Sequence, residues 1–430
     1  MKSYPEETVI LKSVVGGGQT IGELADGRKL FVWGGLPGEE VVVRITKRKK
    51  SYAEGIVTQV IRSATDRVEP LDPASFLSTS PWQIYDFAAE QHYKAALIEE
   101  AFELHNIVLP QRIEVATNGV PYGYRNKVEF SFWWDTDTNT LDLAFFKRGG
   151  NGKVPVTGTS LAMPAINDAA QRLLAMLRIK QVEARALKTA LIRCDQKENV
   201  LLQLYVKDEG TAQAFTTEEL VSLGLNGAEV IYSDHRSPAS VITKRYAQVG
   251  ATWLEDTIHG IDFRYATEGF FQVNIPMYEQ SLADMQQYIP ETAPVIDMYS
   301  GVGSIGLTIG GPQLKLIESN DHAIAEMQRN IANLHSSAVA IHAPAEKVTD
   351  HITSESLIIL DPPRAGLHAA VIERLLSVRP PRIVYLSCNP VTQARDVALL
   401  AEAYGIRAHK GYNFFPRTPH IEHLVVLDLK

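Results

Sequence analysis

One stretch of this chain limits its fold more than any other: a short apolar strand followed by a glycine loop. The strand covers 295–297, and the glycines Gly301, Gly303 and Gly306 have the spacing G-x-G-x-x-G. Glycines at this spacing allow a sharp strand-to-helix turn and close approach of a ligand to the backbone. Glu318 lies at the end of the next apolar run, where a carboxylate can accept hydrogen bonds from ribose hydroxyls. The pattern predicts a site for a nucleoside-containing cofactor and leaves a nicotinamide dinucleotide and S-adenosylmethionine as alternatives.

From about residue 290 onward, short apolar runs alternate with stretches of helical periodicity. The apolar runs lie at 294–296, 314–317, 356–360 and 382–386, and the helical stretches include 322–334 and 369–376. This alternation predicts a doubly wound α/β domain built around a mainly parallel sheet. Ligands bind at the carboxyl ends of the strands in such a sheet, so the residues that follow each run are candidates for chemistry.

The third and fourth of these runs end in groups capable of chemistry. The sequence Asp-Pro-Pro-Arg follows the third run at 361–364, and Ser-Cys-Asn-Pro follows the fourth at 387–390. The two prolines make a stiff loop, which suits a carboxylate, that of Asp361, holding the polar edge of a planar base. The alternative for this loop is a rigid strand exit without a chemical role.

Cysteine is scarce in this chain, since Cys194 and Cys388 are the only two. That count excludes a disulfide framework and an all-cysteine metal or cluster site within one chain, and we expect a reducing, cytoplasmic setting. Free cysteines usually act as small buried hydrophobic residues, and we interpret Cys194 in this way. Cys388 differs because it follows a strand beside the predicted cofactor crevice. A thiolate is a strong nucleophile, and neighbouring cationic or polar groups can lower the pKa of such a thiol.

A further candidate lies close to the C-terminus. The segment 415–423 reads Phe-Pro-Arg-Thr-Pro-His-Ile-Glu-His and precedes the apolar strand 424–427. Glu422, at the start of that strand, could serve as a general base. Taken alone, a glutamate in such a place is more often a surface carboxylate.

The first part of the chain has a different character. Residues 8–62 contain short strands separated by glycine-rich turns, which predicts a small barrel of the OB kind. Residues 1–64 contain ten basic and seven acidic residues, an excess of +3 in a chain whose net charge is −8. Much of this excess lies in the run 47–50, which we predict to occupy a loop between two strands. The run is either a solvated turn or a contact for phosphates.

The middle of the chain mixes both types of element. Helical periodicity at 91–105 and 163–177 predicts two helices, and 127–133, 141–147 and 200–207 have strand composition. No apolar stretch is long enough to predict a membrane span, and no secretory signal is visible at the start of the sequence. This region is therefore expected to be an α+β domain.

The motifs gain meaning from their combination and order. The glycine loop, 361–364, 387–390 and 419–422 occur together with Gly-Phe-Phe-Gln-Val-Asn at 269–274. With Tyr-Arg-Asn-Lys at 124–127, they make nearly the whole chain resemble the RNA uracil-C5 methyltransferase family, particularly its 23S rRNA branch. The N-terminal barrel resembles the TRAM domain of that family.

The resemblance implies a division into three domains. We expect a TRAM-like, RNA-binding barrel at 1–64, a central α+β RNA-recognition domain at 65–264 and a class I methyltransferase domain of Rossmann-like fold at 265–430. By analogy with the family, the helical segment at 91–118 packs on the catalytic domain. The resemblance also implies a monomer that binds RNA and does not bind a membrane.

The resemblance further implies the cofactor and the roles of individual residues. S-adenosylmethionine would be the cofactor, and Cys388 would be the nucleophile that attacks the uracil. Glu422 would be the base that removes a proton. The residues that would line the cofactor site are Gln272, Tyr299, Ser304, Glu318 and Asp361, the last of which could contact the target uracil instead.

Two departures from the family pattern are visible. Many relatives hold an iron–sulfur cluster on four cysteines before the central domain, whereas the corresponding stretch here, 76–83, has no cysteine. We therefore expect no cluster, and packing has to organise this region. Relatives also often place a polar or acidic residue near the position of Pro344 to hold adenine, which puts the adenine contacts here in question.

Rival interpretations remain open. An amino-group methyltransferase would use an Asp-Pro-Pro motif without a cysteine nucleophile, and a nicotinamide-dependent oxidoreductase would use the same glycine loop. A non-catalytic RNA-binding factor would require neither Cys388 nor Glu422. Within the family, a tRNA uridine-54 methyltransferase is the alternative to an rRNA enzyme.

Overall fold

The computed structural model describes residues 5–430, and contacts divide this chain into two compact units. The first unit consists of 5–13, Thr20–Asp86 and Val120–Asp256, and the second of Val14–Gln19, Phe87–Gly119 and Thr257–Lys430. Residues 87–119 therefore belong to the same unit as the C-terminal part of the chain. No helix in residues 5–430 is long and apolar enough to cross a membrane.

The elements follow one another in this order. From the start to residue 156 they are β1 (Glu6–Ile10), β2 (Ser13–Val15), β3 (Gln19–Glu23), β4 (Lys29–Trp33), β5 (Glu40–Arg48), β6 (Tyr52–Arg62), α1 (Phe76–Thr79), α2 (Phe87–Glu103), β7 (Val115–Ala116), β8 (Lys127–Asp135), β9 (Thr140–Phe146) and β10 (Lys153–Val156). The next group comprises α3 (Pro164–Ile179), β11 (Leu187–Cys194), β12 (Val200–Val206), α4 (Glu209–Gln213), α5 (Thr217–Ser222), β13 (Gly227–Tyr232), β14 (Lys244–Gly250), β15 (Trp253–Ile258) and β16 (Ile261–Ala266).

The C-terminal part of the chain alternates helices and strands. Its elements are α6 (Ile275–Gln286), β17 (Val295–Met298), α7 (Ser304–Ile309), β18 (Leu314–Glu318), α8 (Asp321–Asn333), β19 (Val339–His342), β20 (Leu357–Leu360), α9 (Ala369–Val378), β21 (Arg382–Ser387), α10 (Pro390–Leu400), β22 (Tyr404–Tyr412) and β23 (Glu422–Leu429). Two 3-10 helices, Ala345–Lys347 and Thr349–His351, lie between β19 and β20.

The first sheet has six strands in the order β1-β5-β6-β4-β3-β2. Alternate side chains of β5, those of Val41, Val43 and Ile45, are buried, as expected for a strand with one face in a core. The run 47–50 was predicted to lie in a loop, and this is wrong for its first half. Lys47 and Arg48 are the last two residues of β5, where their backbones pair with β6.

The second sheet has seven strands in the order β10-β9-β8-β11-β12-β13-β14, with α3 packed against it. The helix predicted at 163–177 is confirmed within two residues. Its buried positions Ile166, Ala169, Leu173 and Leu177 recur at helical spacing and join one core with strands β8 to β13. The predicted strands at 127–133, 141–147 and 200–207 are likewise β8, β9 and β12.

Hydrogen bonds and packing organise the region where relatives are expected to carry cluster cysteines. Gln83 is fully buried, and its amide nitrogen donates to Asp72 Oδ2 at 3.0 Å and Ser80 Oγ at 2.7 Å. The carboxylate of Asp72 also accepts from the backbone N–H of Ser160 at 3.0 Å. Trp82 is 1% exposed beside this network. A polar network and a buried aromatic residue thus fix the chain around α1.

The third large sheet has eight strands in the order β19-β18-β17-β20-β21-β23-β22-β7. The first five of these run parallel, and β23 enters antiparallel between β21 and β22. The predicted doubly wound, mainly parallel α/β fold is confirmed. Because β20 and β21 end at the same edge at which β23 begins, residues 361, 388 and 422 come from three neighbouring strands and lie at one edge of the sheet.

Helix α2 contributes to the core of this same unit although it lies far away in sequence. Ile98 and Phe102 are buried with residues of β17, β20, β21 and β23 in one apolar cluster. Strand β7 extends the sheet by pairing with β22. The segment 87–119 is therefore an integral part of this α/β unit.

Candidate active site

The glycine loop between β17 and α7 has the backbone that its sequence predicts. Gly301 and Gly303 have φ values of +57° and +88°, which residues other than glycine rarely adopt. Gly306 packs so closely that a Cβ would lie 2.5 Å from Leu316 Cδ2. The backbone N–H of Gly306 donates to Asp297 Oδ2 at 2.9 Å. The three glycines thus serve two left-handed turns and one close approach.

Asp297 presents an unusual buried carboxylate. Its side chain is fully buried, and burial raises the pKa of this carboxyl well above its ordinary value. One oxygen accepts from Gly306, whereas Oδ1 has no hydrogen-bond partner among residues 5–430. A buried acceptor without a partner is costly unless a ligand supplies a donor. S-adenosylmethionine carries amino and hydroxyl donors, so this acceptor fits a ligand of this kind.

Glu318 lies at the end of β18, as predicted, but already has a structural task. Its Oε2 accepts from the backbone N–H of Gly301 at 2.9 Å, and Oε1 accepts from those of Ser319 and Asn320 at 2.7 Å each. Three backbone donors hold the carboxylate beside the glycine loop. Two carboxylate oxygens offer about four acceptor positions, so capacity remains for a ribose hydroxyl.

Two of the other predicted cofactor residues, Tyr299 and Ser304, flank the same loop. Tyr299 follows β17 in the left-handed region, with φ of +66°, and burial raises the pKa of its phenol to about 12. The hydroxyl of Ser304, at the start of α7, lies 2.7 Å from that of Tyr278. Gln272 is 8% exposed in the segment that precedes α6. Ser304 is therefore committed to a neighbouring tyrosine, which the sequence did not predict.

An acidic residue lies close to Pro344, the position at which relatives often carry a polar or acidic residue that holds adenine. Pro344 caps the 3-10 helix Ala345–Lys347, and Glu346 lies two residues later. The charge of Glu346 contributes to the raised pKa of Tyr299. The loop after β19 thus brings an acidic side chain close to Tyr299, although position 344 itself is proline.

The strand register brings Cys388 and Glu422 together. Ser387, the last residue of β21, pairs with His423 of β23. If the antiparallel register continues by one residue, Cys388 lies opposite Glu422. Residues directly opposite each other in such a pair of strands have Cβ atoms about 4.5–5.5 Å apart. The side chain of Glu422 is buried, and that of Cys388 is half-buried.

Burial and mutual charge repulsion determine protonation at this edge. Burial raises the pKa of Asp361 to about 7, and burial together with Asp361 raises the pKa of Glu422 well above its ordinary value. Burial, Glu422 and Asp361 raise the pKa of the Cys388 thiol to about 12. Neighbouring cationic groups can lower the pKa of such a thiol, but burial and the two carboxyl groups outweigh that effect here. Arg364 alone among the named side chains acts in the opposite direction.

The loop that carries Asp361 and Arg364 is fixed by helix α10. The carbonyl of Arg364 accepts from Asn389 Nδ2 at 2.9 Å and from Thr392 Oγ1 at 3.2 Å. Further along, buried Asp396 accepts from the backbone N–H of Leu367 at 2.8 Å. The guanidinium of Arg364 remains exposed, 3.4 Å from His420 Nδ1. The sequence indicates Arg364 only as part of a stiff loop, because a cation that acts on two distant residues leaves no local pattern.

Comparisons with known proteins identify the family of this chain. The family model of tRNA (uracil-5-)-methyltransferases matches residues 92–430. The chain belongs to this family. A second family model, that of the TRAM domain, matches residues 7–58, so the six-stranded sheet is a TRAM domain.

Similar proteins span almost the full chain. A protein of Nitratidesulfovibrio vulgaris named as an uncharacterized RNA methyltransferase is 28% identical, covering 94% of this chain and 92% of its own length. One of the same description from Thermosynechococcus vestitus is 26% identical over 95% of both chains. The crystal structure of Pyrococcus abyssi tRNA (uracil-54, C5)-methyltransferase with S-adenosyl-L-homocysteine superposes with a TM-score of 0.76 at 23% identity, covering 98% of this chain and 100% of that one. The fold is thus shared along the whole length.

Half of the basic run of the TRAM domain is already paired. Lys47 Nζ lies 2.6 Å from Glu54 Oε1, and an Arg48 guanidinium nitrogen lies 2.9 Å from Glu7 Oε1. Lys49 and Lys50 are exposed and make no ion pair within residues 5–430. The charge available to phosphates therefore comes chiefly from the second half of the run.

The interpretation of the other cysteine is confirmed. Cys194 ends β11 with no exposed surface, and its thiol donates to the carbonyl of Asp195 at 3.2 Å. Burial raises the pKa of this thiol to about 12. No group of three or more His, Cys, Asp or Glu side chains that could hold a metal ion occurs in residues 5–430.

Proposed function

We propose that this member of the uracil-5 methyltransferase family methylates C5 of a uridine in RNA through a covalent adduct with Cys388. The observation that carries the proposal is the meeting of Cys388 and Glu422 at one sheet edge, where Asp361 raises the pKa of both. A thiol and a buried carboxyl are the two groups that this reaction needs. An enzyme acting on amino groups would require neither.

The residues around the glycine loop would hold S-adenosylmethionine. Glu318 would accept from ribose hydroxyls, and the free oxygen of Asp297 would accept from a donor of the cofactor. Gln272, Tyr299 and Ser304 would complete the lining of the crevice. When bound, the cofactor supplies an electrophilic methyl group on a sulfonium.

Cys388 begins the reaction by activating the ring. Its sulfur forms a bond to C6 of the uracil, the electrons of the C5–C6 double bond move toward O4, and C5 becomes nucleophilic. Because the thiol pKa is about 12, its proton has to move to a neighbouring base as the S–C6 bond forms. Besides burial, the charges of Glu422 and Asp361 raise the pKa of Cys388, and the carboxylate of Asp361 is the base that accepts this proton.

Glu422 completes the reaction after C5 has gained its methyl group. Its carboxylate removes the C5 proton, the electrons of that bond restore the C5–C6 double bond, and the S–C6 bond breaks with its electrons returning to Cys388. Burial raises the pKa of Glu422, which makes its carboxylate a stronger base than an exposed glutamate. The uracil has to leave its stack to reach both groups, which single-stranded RNA permits at lower cost.

The RNA class is proposed from two observations. The TRAM domain favours 23S rRNA as the first candidate. Single-stranded loops of such an RNA would present the unstacked base that the reaction needs. The full-length similarity of fold to the Pyrococcus abyssi tRNA enzyme favours tRNA as the second candidate. Mapping of 5-methyluridine in both RNAs from a strain that lacks the gene decides between them, because the missing modification identifies the substrate.

Two variants test the proposed mechanism. We expect Cys388→Ala to bind S-adenosylmethionine as the wild type does and to form no adduct with RNA containing 5-fluorouracil. We expect Glu422→Gln to accumulate a methylated RNA–protein adduct, visible as a radiolabelled band of reduced mobility in a denaturing gel. Full turnover by Cys388→Ala would remove Cys388 from the role of nucleophile. Normal product release by Glu422→Gln would remove Glu422 from the role of base.

A further inference from the structure

The turn between β22 and β23 leads directly into Glu422, and its backbone adopts an unfavourable conformation. This turn covers 413–421 and includes Arg417, whose φ of +65° lies in the left-handed region. Such a conformation is unfavourable for a residue other than glycine and persists only where surrounding contacts enforce it. The source of those contacts therefore decides where the carboxylate of Glu422 is held.

The contacts come from two fully buried, oppositely charged residues of helix α2. Glu90 and Lys94 are both 0% exposed, and Glu90 Oε1 lies 3.1 Å from Lys94 Nζ. The carboxylate of Glu90 accepts from the backbone N–H of Arg417 at 3.0 and 3.1 Å and from Asn413 Nδ2 at 2.9 Å. Lys94 Nζ donates to Asn413 Oδ1 and to the carbonyl of Phe415 at 3.0 Å.

The apolar packing of helix α2 does not by itself explain why Glu90 and Lys94 are buried as a charged pair. Charged residues are almost never fully buried unless they are paired, and a buried ion pair is often no more stable than apolar residues of the same volume. Burial lowers the pKa of Lys94 to about 8, and the charge of Glu90 opposes that fall, so the ammonium stays largely protonated at neutral pH. A pair of this kind is well suited to fixing the geometry of a turn, because each charge demands hydrogen-bond partners in defined directions.

We infer that Glu90 and Lys94 are positioning residues, which hold the turn at 413–421 so that Glu422 reaches the C5 proton. The inference rests on the proposed function, because it assigns these residues to the step that Glu422 performs. Cys388 directly follows another strand, β21, which is also held by parallel pairing with β20 on the side opposite β23. Loss of the pair should therefore slow the release of methylated RNA more than it slows formation of the bond to Cys388.

The experiment uses the full-length enzyme with the double variant Glu90→Gln/Lys94→Met, which removes both charges of the pair together, so that neither is left buried without the other. The matched control is Glu99→Gln, at an exposed position of the same helix. Adduct formation is measured with RNA containing 5-fluorouracil, and product release is measured in a single turnover with unmodified RNA and labelled S-adenosylmethionine. We expect release to slow by about 10- to 100-fold, the range for displacement of a catalytic group by about 1 Å. Adduct formation and cofactor affinity should stay within about twofold of the wild type, which a general loss of structure would not allow.

Equal slowing of adduct formation and release, or no slowing of either, would overturn the inference. If the double variant does not fold, Lys94→Gln decides in the same way, because it leaves Glu90 bonded to Arg417 and removes the contacts of the ammonium to Glu90, Asn413 and Phe415. Failure of the proposed function has a separate signature, since the wild type would then form no adduct with 5-fluorouracil RNA. A wild type that forms the adduct, a Glu422→Gln that retains methylated RNA and a double variant that releases it normally would refute the positioning role alone.

Discussion

The thiol of Cys388 is half-buried and lies near two carboxyl groups and one guanidinium, and burial together with these charges decides its protonation. Glu422 and Asp361 raise its pKa, and Arg364 lowers it. The exposed guanidinium is also the group that lowers the pKa of Glu422. A single arginine at the mouth of the site thus favours the ionised form of both proposed catalytic residues.

Replacing Arg364 by glutamine is expected to slow alkylation of Cys388 by iodoacetamide. Loss of the positive charge raises the pKa of the thiol, so at any pH below that pKa a smaller fraction is the reactive thiolate. An exposed charge contributes about 0.5–1 kcal/mol, which corresponds to a rate about two- to fivefold lower. The modified residue is identified by mass spectrometry, with buried Cys194 as an internal control.

Arg364→Lys serves as the matched variant because it keeps the charge. Its alkylation rate should stay close to that of the wild type. An equal loss of rate in both variants would show that the shape of the loop matters and that the charge does not.

Strand ends and the turns between them carry most of the functional groups of this protein. In the TRAM domain, β5 continues through Lys47 and Arg48 because both residues pair across to β6 and to acidic side chains. Lys49 and Lys50 begin the turn and keep their charge exposed. We therefore expect Lys49 and Lys50 to contribute more to RNA binding than Lys47 and Arg48.

The double variant Lys49→Gln/Lys50→Gln is expected to weaken RNA binding and to flatten its dependence on salt. Each lost phosphate contact changes the slope of log K against log [salt] by about 0.7 for single-stranded RNA, so the two together change it by about 1.4. Fluorescence anisotropy at several salt concentrations measures the slope. Lys47→Gln is the control and should change it less, because Glu54 already neutralises that charge. An unchanged slope in the double variant would mean that the turn is merely solvated.

At the scale of the whole molecule, the α/β unit is assembled from three separate stretches of chain. Helix α2 lies before the second sheet in sequence, yet Ile98 and Phe102 belong to the core formed around β20 and β21. The ring of Phe102 also contacts that of His423, the residue after Glu422, with centroids 5.3 Å apart. The α/β unit therefore depends on a segment that is remote in sequence from the motifs at its strand ends.

Phe102→Ala is expected to destabilise the α/β unit by about 3–5 kcal/mol, the usual cost of removing a buried phenylalanine. Hydrogen exchange followed by mass spectrometry should show faster exchange in β20, β21 and β23, with α3 and β12 of the other unit unchanged. Glu99→Ala, at an exposed position of the same helix, should change stability by less than about 0.5 kcal/mol. Uniformly faster exchange in both units would contradict a core confined to one of them.

The local sequence pattern was sufficient to predict the fold class and the strands whose ends carry the site motifs. Strand and helix periodicities encode which elements form, and Gly301 and Gly303 were predictable because their φ values require glycine. Ligands bind at the carboxyl ends of the strands in a doubly wound sheet, so the sequence alone also marked Asp361 and Cys388, which follow two such strands, as candidates for chemistry. The division into three domains at residues 64 and 264 stays a prediction.

Tertiary structure alone decided the electrostatics of the site and the support of Glu422. The pKa of Cys388 depends on burial and on residues up to several dozen positions away, and no local pattern records either. The pairing of Glu90 and Lys94 with the turn before Glu422 joins positions more than 300 residues apart. Sequence periodicity specifies the elements of this protein, but desolvation and through-space contacts between those elements determine which of its side chains are charged and where they are held.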